Sequence, residues 1–167
     1  MKDFIKIPDE RKRILKNNKN IKDKIENFTK TVIELNDDVV IDGESFNVFQ
    51  AKQVLKAFGR GFDVDTSLYL LEDEYGLEII NLSEFTRSRE RLITLKSRII
   101  GTEGKTKKQI EKYTDVKLCI FGKTVGIIGK WDKINIAKEA IMKLIRGCTH
   151  KILYRWLERQ SIEGEKL

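Results

Sequence analysis

The chain is poor in the residues that build most catalytic and metal centres. Its 167 residues include one histidine, His150, and two cysteines, Cys119 and Cys148. Two distant cysteines without a paired motif read as reduced structural thiols, which excludes a disulfide framework and makes a zinc site improbable. No run of 18 apolar residues is present, so no membrane-spanning helix is expected. The opening MKDFIKIPDE lacks the apolar stretch of a secretory signal, and the chain is expected to be cytoplasmic. The acidic run Glu72-Asp73-Glu74 would fan around a helix axis and reads as solvated surface. With no nucleophile–base pair in the pattern, no catalytic residue, metal ligand or cofactor is assigned, and the chain is not read as an enzyme.

What the chain has is charge, unevenly placed. Charged residues make up 35% and hydrophobic residues 40%, the balance of a folded, heavily solvated protein. The formal net charge is +7. Residues 1–60 carry +3, residues 61–86 carry seven acids and no base, and residues 87–167 carry 20 bases against 9 acids. A basic second half behind an acidic segment fits a polyanionic partner. A lysine-rich solvated surface is the alternative that composition leaves open.

The sequence also repeats. Shifted by 85 residues, Ile14-Leu15 falls on Ile99-Ile100, and Ile25 to Thr29 falls on Ile110 to Thr114. One further residue of shift aligns Val39, Ile41 and Gly43 with Val125, Ile127 and Gly129, and Arg60-Gly61 with Arg146-Gly147. Two copies of one unit follow. In the second copy, periodicity predicts a strand over 77–85, helices over 88–100 and 105–113, and strands over 116–121 and 124–128. A longer helix capped by Asp132 follows, with Ile136, Ala137, Ala140, Ile141, Leu144 and Ile145 on its apolar face and Gly147 at its end. The first copy gives a strand over 4–7, helices over 9–15 and 21–28, strands over 31–35 and 39–42, and a helix over 45–58. Residues 63–75 read as an acidic linking helix, and 151–160 as a terminal helix that docks Leu153, Trp156 and Leu157. The class is α+β.

Gly104-Lys105-Thr106 invites a nucleotide-binding reading, but a Walker loop requires glycine where Ile99 stands. Gly122-Lys123-Thr124 fails in the same way at Lys117. The element order around Gly101-Thr102-Glu103-Gly104 instead resembles the KH domain, whose Gly-x-x-Gly loop joins two helices and clamps about four nucleotides of backbone. Two glycines permit close approach of a sugar-phosphate chain. The helix starting at Lys105 offers unpaired N–H groups to phosphate, supplemented by Lys105, Lys107, Lys108 and Lys112. Ile99, Ile100, Val116, Leu118 and Ile120 would wall an apolar groove for bases. Arg98 and Thr106 complete the expected RNA-binding set. Glu103 opposes phosphate, and a plain helix–helix turn is the alternative reading. The first copy has Lys16-Asn17-Asn18-Lys19 in place of the loop, with no glycine, so it is read as kept for packing or protein contact. Lys12, Arg13, Lys16 and Lys19 remain available to touch phosphates from the side.

Taken together, FIKIPDER, AKQVLKAFGRGFD, RIIGTEGKTKKQIEKYT, KTVGIIG and AIMKLIRGCTHKILYRWLER resemble the archaeal tandem-KH ribosomal RNA-processing proteins. These are counterparts of the eukaryotic KH factor that partners the small-subunit rRNA endonuclease. The resemblance implies two type I KH domains of order βααββα. They would occupy residues 1–61, with a degenerate loop, and 77–147, joined by the acidic linker 62–76 and followed by a C-terminal helix and tail over 148–167. It implies a single-stranded RNA-binding assembly factor acting near the 3′ end of small-subunit rRNA, with a ribosome-assembly or translation-factor protein partner and no membrane. A protein adaptor with secondary RNA contact is the alternative.

Overall fold

The computed structural model describes residues 1–165; residues 166–167, the end of the expected tail, lie outside it. The chain divides into two compact units, Met1–Tyr75 and Gly76–Leu167.

The first unit runs β1 (Lys2–Ile5), α1 (Asp9–Asn17), α2 (Lys19–Thr29), β2 (Val32–Leu35), β3 (Val39–Asp42) and α3 (Ser45–Gly59), with a short α4 (Val64–Leu68) at its end. β3 lies between β1 and β2 and is antiparallel to both. Alternation sends Ile33, Val39 and Ile41 inward, where they meet Leu15, Ile25, Val48, Leu55 and Phe58 from the helices. Pro8 caps α1, a position where a missing N–H removes no helical bond.

The second unit repeats the order: β4 (Tyr75–Asn81), α5 (Arg89–Ile100), α6 (Lys105–Thr114), β5 (Lys117–Phe121), β6 (Thr124–Lys130) and α7 (Trp131–Ile145), then α8 (His150–Glu165). β6 lies between β4 and β5. Its core gathers Leu95, Ile99, Ile110, Val116, Leu118, Ile127, Ala137, Ile141 and Leu144, and Leu153 and Leu157 of α8 close it.

The repeat extends to single hydrogen bonds. Thr29 donates to the Ile25 carbonyl at 2.7 Å, as Thr114 does to Ile110 at 2.6 Å. The Glu26 carboxylate accepts from the Ile33 N–H at 2.9 Å, and that of Glu111 from Leu118 at 3.1 Å. Arg11 donates to the carbonyls of Phe58 and Phe62 at 2.8 and 2.7 Å. Arg98 donates to Leu144 and Cys148 at 2.7 and 2.5 Å.

Several expected boundaries move. The linking helix over 63–75 is a five-residue helix capped by Asp63, then a 3-10 turn over Tyr69–Leu71. Val64, Leu68 and Leu71 pack on the first core, which stops a straight helix from leaving it. The strand expected over 77–85 runs instead over Tyr75–Asn81, because the Asn81 side chain accepts from the Ser83 N–H and turns the chain. α7 begins before Asp132, with its N-cap at Lys130. Starting there lays the Trp131 ring on Gly76, where any Cβ would sit 2.4 Å from it. On α7, Ile134 is in the core while Ile136 is only half-buried. The first loop is shorter than expected. α1 continues to Asn17, α2 resumes at Lys19, and Asn18 alone reverses the chain at φ −122°. Without glycine, the wider turn of the second copy, with its positive φ angles, is disfavoured.

Candidate nucleic-acid interface

α5 ends at Ile100, and the chain then takes a turn that only glycine makes freely. Gly101 has φ +76° and ψ 172°, and its N–H donates to the Ser97 carbonyl at 2.8 Å. A Cβ at this position would lie 2.2 Å from the Thr106 hydroxyl oxygen and 2.7 Å from its amide nitrogen. Thr102 to Gly104 form one 3-10 turn, closed by the Gly104 N–H on the Gly101 carbonyl at 3.1 Å. Gly104 has φ +75° with open space around it, so conformation rather than room demands glycine there. Thr102 and Glu103 are exposed at the tip, and the turn is open to solvent. Glu103 itself sits at φ +54°, an unfavourable region for a residue other than glycine, asparagine or aspartate.

α6 starts directly from Gly104 with no side-chain cap. No side chain caps the N–H groups of its first turn, which lie at the positive end of the helix dipole, and the Lys105 N–H donates to the Thr102 carbonyl. Lys105, Lys108 and Lys112 are exposed and Lys107 half-buried. The Lys105 ammonium lies 5.7 Å from the Tyr154 ring, and that of Lys112 5.6 Å from Tyr113. A glycine turn, an uncapped helix N-terminus and cations thus meet on one surface, a combination suited to a phosphate backbone.

Five residues expected to touch RNA hold the fold instead. Ile99 is fully buried, and Val116 and Leu118 are each 3% exposed, all inside the second core. Only Ile100 and Ile120 are half-open to solvent. Strand alternation and helix periodicity put the other three beneath the groove rather than along its wall. Thr106 is 1% exposed and shares a hydrogen bond with the Tyr154 hydroxyl at 2.9 Å. Arg98 spends its guanidinium on two carbonyls at the end of α7 and the start of the next segment.

Sequence reasoning also missed the part α8 plays beside the turn. His150 and Tyr154 stack with ring centroids 6.2 Å apart, and a His150 ring nitrogen lies 2.9 Å from the Arg98 carbonyl oxygen. With Thr102, Glu103, Lys105 and Gln109 they line a cavity of about 640 Å³ behind the turn. The signal was an aromatic and a histidine four residues apart, one helical turn, on a helix read only as docking.

In the first unit the corresponding elements form an open groove of about 580 Å³, floored by Leu15, Ile33 and Leu35 and edged by Lys16, Lys19 and Lys22. Lys12 is engaged with the Asp37 carbonyl at 2.6 Å.

Residues 76–162, which hold the turn, match the second KH domain of PNO1, a eukaryotic-type KH domain (KH-domain type I). The KH domain-containing protein MJ0443 of Methanocaldococcus jannaschii is 36% identical over 166 residues, spanning 95% of this chain and 73% of that protein. The chain belongs to the PNO1-type KH-domain family. Two solved structures place this PNO1-type chain among archaeal relatives. Dim2p from Pyrococcus horikoshii OT3 is 37% identical with a TM-score of 0.86, covering 95% of this chain and 99% of that one. The aDim2p of the same organism, solved in an a/eIF2alpha–aDim2p–rRNA complex, is 36% identical with a TM-score of 0.88, covering 98% and 95%. RNA binding through a KH domain is thus the property this PNO1-type chain shares with its family, and its Gly101–Gly104 turn has the form that property uses. Among the described residues, no helix is long and apolar enough to cross a membrane, and no three histidine, cysteine or acidic side chains are grouped to hold a metal ion.

Proposed function

We propose that the protein is a small-ribosomal-subunit assembly and rRNA-processing factor that holds single-stranded rRNA, near its 3′ end, across the second unit. The observation that carries this is the turn Gly101–Gly104, exposed at Thr102 and Glu103 and opening directly into a lysine-rich helix. The contact set is Ile100, Gly101, Thr102, Glu103, Gly104, Lys105, Lys107, Lys108, Lys112 and Ile120. Arg98, Ile99, Thr106, Val116 and Leu118 shape the surface from below. Both units are KH domains in this reading. They share one element order, one strand order and three hydrogen-bond devices, and the first has lost its glycine turn. The rRNA in the relative's complex supports the choice of ligand, and the a/eIF2alpha chain in that complex supports a translation-factor protein partner. Such work belongs in the cytoplasm.

Thr102→Asp tests the reading, because it sets a second carboxylate beside Glu103 where phosphate would lie. Repulsion of that kind lowers affinity for single-stranded RNA by about tenfold or more, while the thermal midpoint stays within a few degrees. Binding unchanged from the wild type would remove the turn as the clamp. Partner capture from nuclease-treated extract separates the adaptor alternative, since partners held through RNA are lost on digestion.

A further inference from the structure

The opposite end of α5 carries a second cationic surface that the Gly-x-x-Gly clamp leaves unused. A cavity of about 510 Å³ opens where the end of β4 and the first residues of α5 meet the β5–β6 turn. Arg87, Arg89 and Lys123 line it together with Ser83, Thr86 and Ser88, and no acidic residue does. The hairpin brings Lys123 here because Gly122, at φ +56°, makes a two-residue turn, and the Lys123 carbonyl accepts from the Leu82 N–H at 2.8 Å. All three cations are exposed, and among the described residues none has an ion pair or side-chain hydrogen bond. Elsewhere Lys24, Lys52 and Lys138 each pair with a carboxylate. Glu84 and Glu90 are neighbours in sequence but do not line the cavity.

The hydroxyls are arranged to donate. Thr86 Oγ1 accepts from the Ser88 N–H at 3.0 Å, and Ser88 Oγ accepts from the Arg91 N–H at 3.3 Å. Each oxygen is thereby fixed by the backbone while its own proton is left to bond outward. Two guanidinium groups, one ammonium and two hydroxyl donors around one hollow suit the oxygens of a phosphate. A carboxylate ligand would meet the same charges, but RNA is the polyanion the protein already binds.

Position ties this cavity to the turn. α5 joins them, and its 12 residues at 1.5 Å each separate them by about 18 Å. Of the two half-open apolar positions, Ile100 stands at the turn, and Ile120 lies three residues from Lys123. We propose that the cavity edged by Arg87, Arg89 and Lys123 is a second phosphate-binding site, which takes the backbone of the same RNA strand beyond the stretch held at Gly101–Gly104. The assignment rests on the RNA-binding reading of the turn and extends its footprint past the clamp.

The test uses the full chain and two single-stranded RNAs, one of about four nucleotides to fill the clamp and one about twice as long. The wild type binds the longer RNA at least about tenfold more tightly, through the added phosphate contacts. Arg87→Ala, Arg89→Ala and Lys123→Ala together erase most of that gain and leave the short RNA within about twofold. They also flatten the slope of log K against log salt on the long RNA by about 2, at roughly 0.7 per phosphate contact. A matched variant, Lys151→Ala with Arg155→Ala and Arg159→Ala on α8, loses the same formal charge and keeps the gain. Equal losses in the two variants, or no loss in the first, overturn the site. Thr102→Asp run alongside weakens both RNAs, and if it does not, the clamp reading fails while the length dependence still decides the cavity.

Discussion

At the scale of single residues, the two glycines of the turn do different work, and substitution separates them. Alanine at Gly101 meets the Thr106 oxygen at 2.2 Å. Thr106 is buried and bonded to Tyr154, so relief requires breaking that bond as well as adopting φ +76°. Gly101→Ala is expected to cost about 2–4 kcal/mol in urea unfolding, combining overpacking with left-handed strain. Gly104→Ala, with only Lys108 Cε at 3.9 Å, adds about 1 kcal/mol of strain and no clash. Similar costs for the two would mean that Thr106 yields without resistance. Glu103 is the reverse case, a residue whose replacement should help. Asparagine tolerates φ +54° better than glutamate and removes a charge aimed at phosphate. Glu103→Asn is therefore expected to raise stability by a few tenths of a kcal/mol and RNA affinity by about two- to fivefold at low salt. Weaker binding in that variant would show that the carboxylate contacts the RNA productively, for example through a base amino group.

At the scale of elements, the same arginine device closes both units. Arg11 ties α1 to the end of α3 and the residues after it, and Arg98 ties α5 to the end of α7 and the residues after it. Arg98→Ala leaves the Leu144 and Cys148 carbonyls short of a charged donor, and such bonds are worth about 1.5–3 kcal/mol each. Part of that loss is recovered through water, so a net loss near 3 kcal/mol is expected in chemical denaturation, with RNA affinity falling only as far as the turn is disturbed. A variant that keeps its stability but loses RNA would return Arg98 to the contact surface. This residue also shows where the sequence was legible and where it was not. Helices and strands follow from local periodicity, which is why α2, α3, α6, β2, β3 and β5 lie within about two residues of their expected bounds. Whether a cation beside a loop faces solvent or a distant carbonyl depends on a contact 46 residues away, which no local pattern encodes. The same limit hid the Thr106–Tyr154 bond, which spans 48 residues. It also placed Ile99, Val116 and Leu118 in the wall rather than the core, because apolar character alone does not tell a groove lining from the layer below it.

At the scale of the whole molecule, the excess of positive charge over residues 87–167 sets how binding responds to salt. That region carries 20 basic and 9 acidic residues and contains both the lysine-rich start of α6 and the Arg87–Arg89–Lys123 cavity. Each phosphate neutralised on a single strand contributes about 0.7 to the slope of log K against log salt. A clamp engaging about four phosphates alone gives a slope near −3, and a strand reaching the cavity as well gives about −5. Titrating an RNA of about eight nucleotides between roughly 50 and 200 mM salt distinguishes the two, since the affinity falls about 60-fold for the shallower slope and about 1,000-fold for the steeper. A slope near −1 would leave the basic half as solvated surface and base contacts as the source of affinity.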